Sequence, residues 1–390
     1  MKPAPLMPIT GYSICNALGP DRAAVLDSLR AGRRGLGEVP FALPFRTVVG
    51  AVRTELPELP VALAAWSNRP TRLAQTLVDQ LEGPLARARA RWRPERIGIV
   101  LGTSTSGADA TERAFATFIK HGALPESYDF HKQHTFGALV DVVARLTGIT
   151  GPAWVVSSTC TSSAKPFGSA RRLIHAGVLD AVLVGGIDTL CSMSVLGFNA
   201  LGALSSNPCK PFSSERDGIN VGEGGALLLV ERQGEGPALL EGVGESSDAY
   251  HISAPHPEGL GAAIAMQRAL DDAGITAADV DHINAHGTGT RLNDTAEAKA
   301  IFSVFGSTVP VASTKGLTGH MLGAGGATEC VLSIMSIEAG LIPASVGAEP
   351  LDPELRIDVA LAPRHGPLRR VLSNSFAFGG SNASVLVRAP

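Results

Sequence analysis

Cys160, His286 and His320 are the residues whose types and surroundings could do chemistry, because each stands in a short polar stretch after an apolar run. Cys160 lies in Ser158-Thr159-Cys160-Thr161-Ser162, between a strand-like run at 153–157 and a small-residue helical run at 164–176. The N-terminus of a helix supplies free N–H groups and partial positive charge, which lower a thiol's pKa and can hold an oxyanion. On position alone, a working nucleophile and a buried core cysteine fit equally. His286 opens His286-Gly287-Thr288-Gly289-Thr290, where glycines let a ligand approach the backbone and hydroxyls offer hydrogen bonds. His320 closes Lys315-Gly316-Leu317-Thr318-Gly319-His320. Taken singly, either imidazole fits a satisfied core residue better than a reactive one.

Positioning three such stretches requires a scaffold that ends several strands together. Runs at 97–101, 153–157, 181–185 and 225–231 read as strands of a first half, after a basic, helix-like stretch at 69–93. Runs at 239–244, 280–285 and 309–313 read as strands of a second half, with helices at 261–273 and 322–339. The order strand, polar corner, small-residue helix at 309–339 copies the order at 153–176, which points to a duplication. The turn at Gly234 to Pro237 divides the chain into residues 1–236 and 237–390. A last strand pair flanks the Gly-rich stretch 376–381.

Composition narrows the class. The chain has 390 residues, more than one core usually serves, and 45% hydrophobic against 18% charged residues describes an enzyme-like interior of small side chains. A net charge of −3 and the lack of a long Lys/Arg run argue against nucleic acid as the main partner. The N-terminal stretch lacks a signal-like apolar region, and no apolar run reaches the roughly 18 residues of a membrane span, so the expectation is a cytoplasmic protein without membrane attachment. The five cysteines show no CxxC spacing, which suits neither a disulfide framework nor a thiolate zinc site, and no local HxxxH pair supports a Cys/His/His zinc centre. The Gly-rich run 319–326 does not follow the GxGxxG offsets of a dinucleotide loop.

Together and in order, these stretches resemble the β-ketoacyl-acyl-carrier-protein synthases, in particular the elongating type with a Cys-His-His triad. The resemblance covers nearly the whole chain. It rests on the Cys160, His286 and His320 motifs, on Lys210-Pro211-Phe212 through Arg216-Asp217-Gly218 to Gly222-Glu223-Gly224, on Ser246-Ser247-Asp248-Ala249-Tyr250-His251, and on Asn374-Ser375-Phe376-Ala377-Phe378-Gly379-Gly380-Ser381-Asn382. It implies a thiolase-like α/β fold of five layers, α-β-α-β-α, built from two duplicated halves with the site between them.

The activity so implied is decarboxylative Claisen condensation. Cys160 would take an acyl chain from an acyl carrier protein. His286 and His320 would stabilise the enolate left when a malonyl thioester loses carbon dioxide. The backbone N–H groups of Cys160 and Phe378 would hold a second oxyanion, with Phe378 also a gate hinged on Gly379 and Gly380. Lys315 should be too enclosed to stay charged without carboxylates, and Asp294, Glu297 and Glu329 match the acidic members of the family's lysine network. Asp217 and Glu223 read as structural. Thr288 and Thr290 would bind the phosphopantetheine arm, which the carrier protein brings, so no cofactor or metal of the enzyme's own is expected. Phe198 and Ala110 are candidates for the acyl pocket. Arg69 and Arg72 are candidates for docking an acidic carrier, although a solvated face suits them better.

The family usually has Gly where Ala377 stands and Thr where Ser381 stands, and its double glycine in the loop 102–110 is replaced by Ser106-Gly107. These departures bear on the acyl chain rather than the reaction. A homodimer is expected, and a heterodimer with a related synthase-like chain is an alternative. Fatty acid elongation and a specialised polyketide or aryl polyene pathway remain balanced. A chain-length-factor-like binding subunit is disfavoured because the nucleophile and both histidines are present, and a thiolase because the C-terminal motif lacks a second cysteine.

Overall fold

The computed structural model describes residues 6–390. Its main sheet has eleven strands: β1 (Met7–Asn16), β2 (Ile97–Gly102), β3 (Ala153–Val156), β4 (Ala181–Asp188), β5 (Gly224–Glu231), β6 (Ala238–Ser247), β7 (His282–Asn284), β8 (Pro310–Ala312), β9 (Asp358–Val359), β10 (Arg370–Phe376) and β11 (Ser381–Arg388). The spatial order is β9-β8-β7-β10-β11-β6-β1-β5-β4-β2-β3. Within the first half, the strands run third-second-fourth-fifth-first. Setting aside the edge strand β9, the second half repeats that order.

The pairing senses repeat as well. In the first half β1–β5 and β5–β4 are antiparallel, whereas β4–β2 and β2–β3 are parallel. In the second half β6–β11 and β11–β10 are antiparallel, whereas β10–β7 and β7–β8 are parallel. An antiparallel joint between Met7–Ile9 and Ala238–Leu240 links the halves. Duplicated topology is therefore plain in the structure.

Six of the helices make up the layers: α1 (Arg69–Asp79), α2 (Phe136–Thr147), α3 (Lys165–His175), α4 (Leu260–Ala273), α5 (Arg291–Phe305) and α6 (Gly325–Ala339). α6 is buried from Gly325 to Ile337, as expected of a helix of small and apolar residues whose one charge in that stretch, Glu329, is paired. It packs on β4 and β5 from one side and on β10 and β11 from the other, with α3 beside it. Because one helix touches both halves, the sheet must fold back on itself at the β1–β6 joint. α1 and α2 cover the outer face of the first half, and α4 with α5 covers that of the second. The result is the five-layered, thiolase-like α/β arrangement.

Some boundaries differ from the sequence expectation. The stretch 69–93 is two helices, α1 and a second from Glu82 to Arg91, instead of one. The helix at 322–339 begins with a separate turn of 3-10 helix at Leu322–Ala324. Among the described residues no helix is long and apolar enough to cross a membrane.

α4 lies unusually close to β6 because glycines face it. A Cβ on Gly244 would come within 1.9 Å of the Ala265 carbonyl oxygen, and one on Gly242 within 2.2 Å of the Ala269 oxygen. Both obstacles are helix backbone and cannot swing away. Gly244→Ala should therefore lower stability in urea unfolding by at least about 1–3 kcal/mol. An unchanged unfolding midpoint would contradict this packing.

Candidate active site

Cys160 follows β3 on a chain of tight turns. Thr161 N–H donates to the Ser158 oxygen (3.2 Å), Ser162 N–H to Thr159 (3.2 Å) and Ala164 N–H to Thr161 (3.1 Å), after which α3 begins at Lys165. Thr159 takes φ +53°, a left-handed conformation that is costly for a β-branched residue. The corner is held by side chains on either side of the cysteine: Ser158 N–H donates to Ser162 Oγ (2.9 Å), and Thr159 Oγ1 donates to the Phe378 carbonyl (3.0 Å). The Phe378 backbone in turn favours the ionised form of the Cys160 sulfur.

The two histidines arrive from the other half. His320 is fixed through its backbone: its N–H donates to the Asn220 oxygen (2.7 Å) and its oxygen accepts from Gly222 N–H (2.8 Å). Its Nε2 lies 3.1 Å from Cys160 Sγ. His286 sits on a loop clamped by Glu297 of α5, whose carboxylate accepts from His286 N–H (2.8 Å) and Gly287 N–H (2.7 Å). The two rings meet edge to face, 5.2 Å between centroids. One ligand-type atom from each of Cys160, His286 and His320 lies within 4.8 Å of the other two. They line one cavity of about 370 Å³ together with Phe198, Phe376 and Phe378, and Thr288 and Thr290 border it.

Burial dominates the electrostatics. It pushes the Cys160 thiol up to about 11, against smaller opposing effects of Lys315 and the Phe378 N–H. The lowered pKa expected from a helix N-terminus is thus corrected: α3 starts five residues later, and desolvation outweighs the nearby donors. Both imidazoles are held well below their ordinary range, first by burial and then by the Lys315 cation, so they are neutral at physiological pH. The resting site is a neutral thiol beside neutral rings. A thiolate must form as the sulfur attacks, with its proton passing to a neighbouring base.

Lys315 is buried and paired with Glu329 on α6, each side chain 1% exposed. It touches the triad through its field rather than by contact. Asp294 and Glu297, expected in the same lysine network, make no ion pair with Lys315 among the described residues, although its field reaches Glu297. Asp294 accepts from Phe212 N–H (2.8 Å) and Gly289 N–H (3.2 Å), and Glu297 holds the His286 loop. Burial raises the Glu297 carboxyl to about 7. Thr288 and Thr290 bond each other, hydroxyl to hydroxyl, at 3.0 Å.

Other expected residues sit elsewhere. Arg69 turns inward to the buried Glu223 and the Val52 carbonyl, and Arg72 binds the Leu56 and Pro57 carbonyls and Glu58. Both guanidiniums are engaged within the chain, Arg69 mainly by Glu223 and Arg72 by the loop 52–58. Ala110 lines a separate cavity with Arg113 and Tyr128, away from Cys160. Phe198 does line the main cavity, its ring 6.0 Å from that of Phe378. Gly379 and Gly380 both have positive φ, as a tight loop after Phe378 requires.

Asp188 was missed by sequence reasoning. This fully buried carboxylate at the end of β4 accepts from Thr103 Oγ1 (2.6 Å), from the Ser104 and Thr105 N–H groups (2.8 Å each) and from Ala324 N–H (3.1 Å). It ties the loop after β2 to the turn that follows His320. The one sequence signal was an acid closing an apolar strand, Gly185-Gly186-Ile187-Asp188. Thr159 was missed too, since its strain and its bond to Phe378 are visible only in three dimensions.

Two expectations test this electrostatic picture. Lys315→Ala should cost about 3–5 kcal/mol in denaturant unfolding by leaving Glu329 buried and unpaired, while Lys315→Met with Glu329→Leu should recover much of that loss. Equal stability of single and double variants would contradict the pairing. Alkylation of Cys160 by iodoacetamide, followed by peptide mass spectrometry, should speed up by about tenfold per pH unit from neutrality toward the raised thiol pKa. A rate already at its plateau near pH 7 would mean that the thiol is not held protonated.

Residues 70–235 match the family model "Beta-ketoacyl synthase, N-terminal domain", and residues 237–349 match "Beta-ketoacyl synthase, C-terminal domain". The chain is similar to Nodulation protein E of Rhizobium meliloti (strain 1021), 32% identical over 391 residues, covering 96% of this chain and 97% of that protein. It is also similar to 3-oxoacyl-[acyl-carrier-protein] synthase 2 of Staphylococcus aureus, 36% identical over 313 residues, 75% of this chain and 77% of the relative. Among solved structures it superimposes on one described as ketosynthase (ApeO) in complex with its chain length factor (ApeC) from Xenorhabdus doucetiae, with TM-score 0.92, 38% identity and coverage of 99% and 98%. Sequence models, relatives and superposition agree with a thiol and two imidazoles meeting between duplicated halves: the chain belongs to the β-ketoacyl synthase family of condensing enzymes.

Proposed function

We propose that this chain is a 3-oxoacyl-[acyl-carrier-protein] synthase that extends an acyl chain held on Cys160 with two carbons from a malonyl thioester. The observation that carries this reading is the 3.1 Å approach of His320 Nε2 to Cys160 Sγ in a cavity that also holds His286. In the first half-reaction Cys160 attacks the thioester of an acylated carrier protein, and the thiol proton leaves through His320 to the departing carrier thiol. In the second, the malonyl thioester loses carbon dioxide, and the enolate oxygen accepts hydrogen bonds from the neutral imidazoles. Neutral rings suit this task, because each can keep one N–H aimed at the developing charge. The enolate carbon then attacks the acyl carbonyl, whose oxygen meets the Cys160 and Phe378 N–H groups, and Cys160 leaves as a thiolate that takes one proton from solvent through His320.

The substrate arm enters past Thr288 and Thr290, where adjacent hydroxyls suit an amide-bearing phosphopantetheine thread. Lys315 positions the site electrostatically, and Glu329, Asp294 and Glu297 fix its parts. The reaction serves fatty acid or related polyketide or polyene synthesis in the cytoplasm. A second thiolase-fold chain is the expected partner. The ketosynthase relative was solved with a chain length factor, and here Phe115, Phe118, Ile119 and Phe136 are large apolar side chains left exposed.

Cys160→Ala should abolish 3-oxoacyl product; persistence at near wild-type rate would end this reading. His286→Ala and His320→Ala should still give an acyl-enzyme by mass spectrometry, formed more slowly in His320→Ala, which lacks the acceptor of the thiol proton, while release of carbon dioxide from malonyl-carrier protein falls by about 10²–10³ in both. Loss of acyl-enzyme in both variants would contradict the division of roles. Turnover by the purified chain alone, compared with turnover after adding a chain-length-factor-like partner, separates a homodimer from an obligate pair.

A further inference from the structure

The same three side chains form a ligand set that local sequence spacing did not reveal. Zinc-site reasoning from sequence looks for paired ligands a few residues apart, and Cys160, His286 and His320 are 126 and 34 residues apart in the chain. In space, one ligand-type atom of each lies within 4.8 Å of the others. A tetrahedral zinc ion needs ligand atoms about 3.3–3.6 Å apart, so closing the set takes side-chain movements on the order of 1 Å. Three protein ligands with a fourth position open to a cavity is the pattern of an accessible zinc site rather than a sealed structural one.

We infer that the unacylated site binds one thiophilic divalent cation, of which Zn²⁺ is the type, through Cys160 Sγ and one nitrogen each of His286 and His320, and that this ion reversibly closes the site. Binding replaces the thiol S–H with an S–Zn bond and releases one proton to solvent; neither ring changes charge. No oxidation is involved. The fourth position takes water from the cavity. Occupancy and acylation exclude each other, because the sulfur cannot carry an acyl group and remain a thiolate ligand.

The structure also limits how tightly the ion is held. Metal-binding imidazoles usually donate their second N–H to a carboxylate or carbonyl, which fixes the tautomer and strengthens the bond. Here the Nδ1 atoms of both His286 and His320 are buried without a hydrogen-bond partner among the described residues. Either tautomer is therefore accessible, so each ring can offer the lone pair that the metal needs, but neither is braced for it. The nearby Lys315 ammonium opposes a dication, although its pairing with Glu329 blunts that field. A moderate, chelator-reversible affinity follows, which suits an inhibitor and not a resident metal. This inference rests on ligand geometry and holds whether or not the chain condenses acyl groups.

The test uses the reduced full-length chain, titrated with zinc chloride by calorimetry and with cobalt(II) chloride by absorption. Expected are one ion per chain, a thiolate-to-cobalt charge-transfer band, protection of Cys160 from iodoacetamide, and release of one proton per zinc in weak buffer. Cys160→Ala, His286→Ala and His320→Ala, shown to be folded by thermal melting, should each weaken zinc binding by more than about tenfold, the scale on which even supporting partners of a metal site act. If a variant does not fold, the charge-transfer band and the alkylation protection of the wild-type chain still decide. Zinc binding that all three variants retain, or zinc that leaves Cys160 alkylation unprotected, places the ion elsewhere and overturns the inference. Loss of condensing activity in an assay without metal would overturn the proposed function while leaving these binding results intact.

Discussion

Desolvation is the constraint on which this site depends. A thiol, two imidazoles and several ionisable side chains are taken out of water together, and each then keeps the form its few neighbours can support. Cys160 stays protonated and both rings stay neutral because burial penalises their charged forms more than adjacent groups favour them. Charge survives where it is matched, in the Lys315–Glu329 pair behind the rings. The outcome is a site poised to move protons, with no standing thiolate–imidazolium pair.

The surrounding acids serve mostly as fasteners. Asp188, Glu223, Asp294 and Glu297 are all buried, and each receives backbone N–H groups from loops that lack sheet partners. Asp188 binds the loop after β2 to the turn after His320, and Glu297 holds His286 against α5. A carboxylate with two oxygens can satisfy several orphan donors at once, which irregular backbone in a core demands. Placement of the reacting residues thus derives from loops pinned by acids as much as from the strands.

Convergence itself follows from the duplication. Cys160 comes after the third strand of the first half and His320 after the third strand of the second, and equal strand order on either side of α3 and α6 brings those two ends together. His286 follows the second strand of its half and completes the set. Gly242 and Gly244 let α4 approach the sheet closely, so the layer that carries the histidine loops packs without a gap.

Most strands and helices near the site were legible from alternation, glycine stops and the motif order, because these are local signals. The repeat of strand, corner and helix around Cys160 and around 309–339 was legible for the same reason. The partners of Arg69 and Arg72 were not legible, because a basic helix face looks the same in sequence whether its donors meet solvent or a buried carboxylate. Asp294 and Glu297 were grouped with Lys315 because nothing in their spacing shows which donors they face.

The sequence alone thus determined which chemical groups the chain possesses and which strand each one follows, since residue type and short-range periodicity are written along it. Tertiary structure alone decided the protonation of Cys160, the partners of the buried acids, the work of Asp188 and Thr159, and the gathering of three distant ligand atoms. Those properties depend on distance and dielectric between residues far apart in the chain, and such quantities exist only after the two halves have packed.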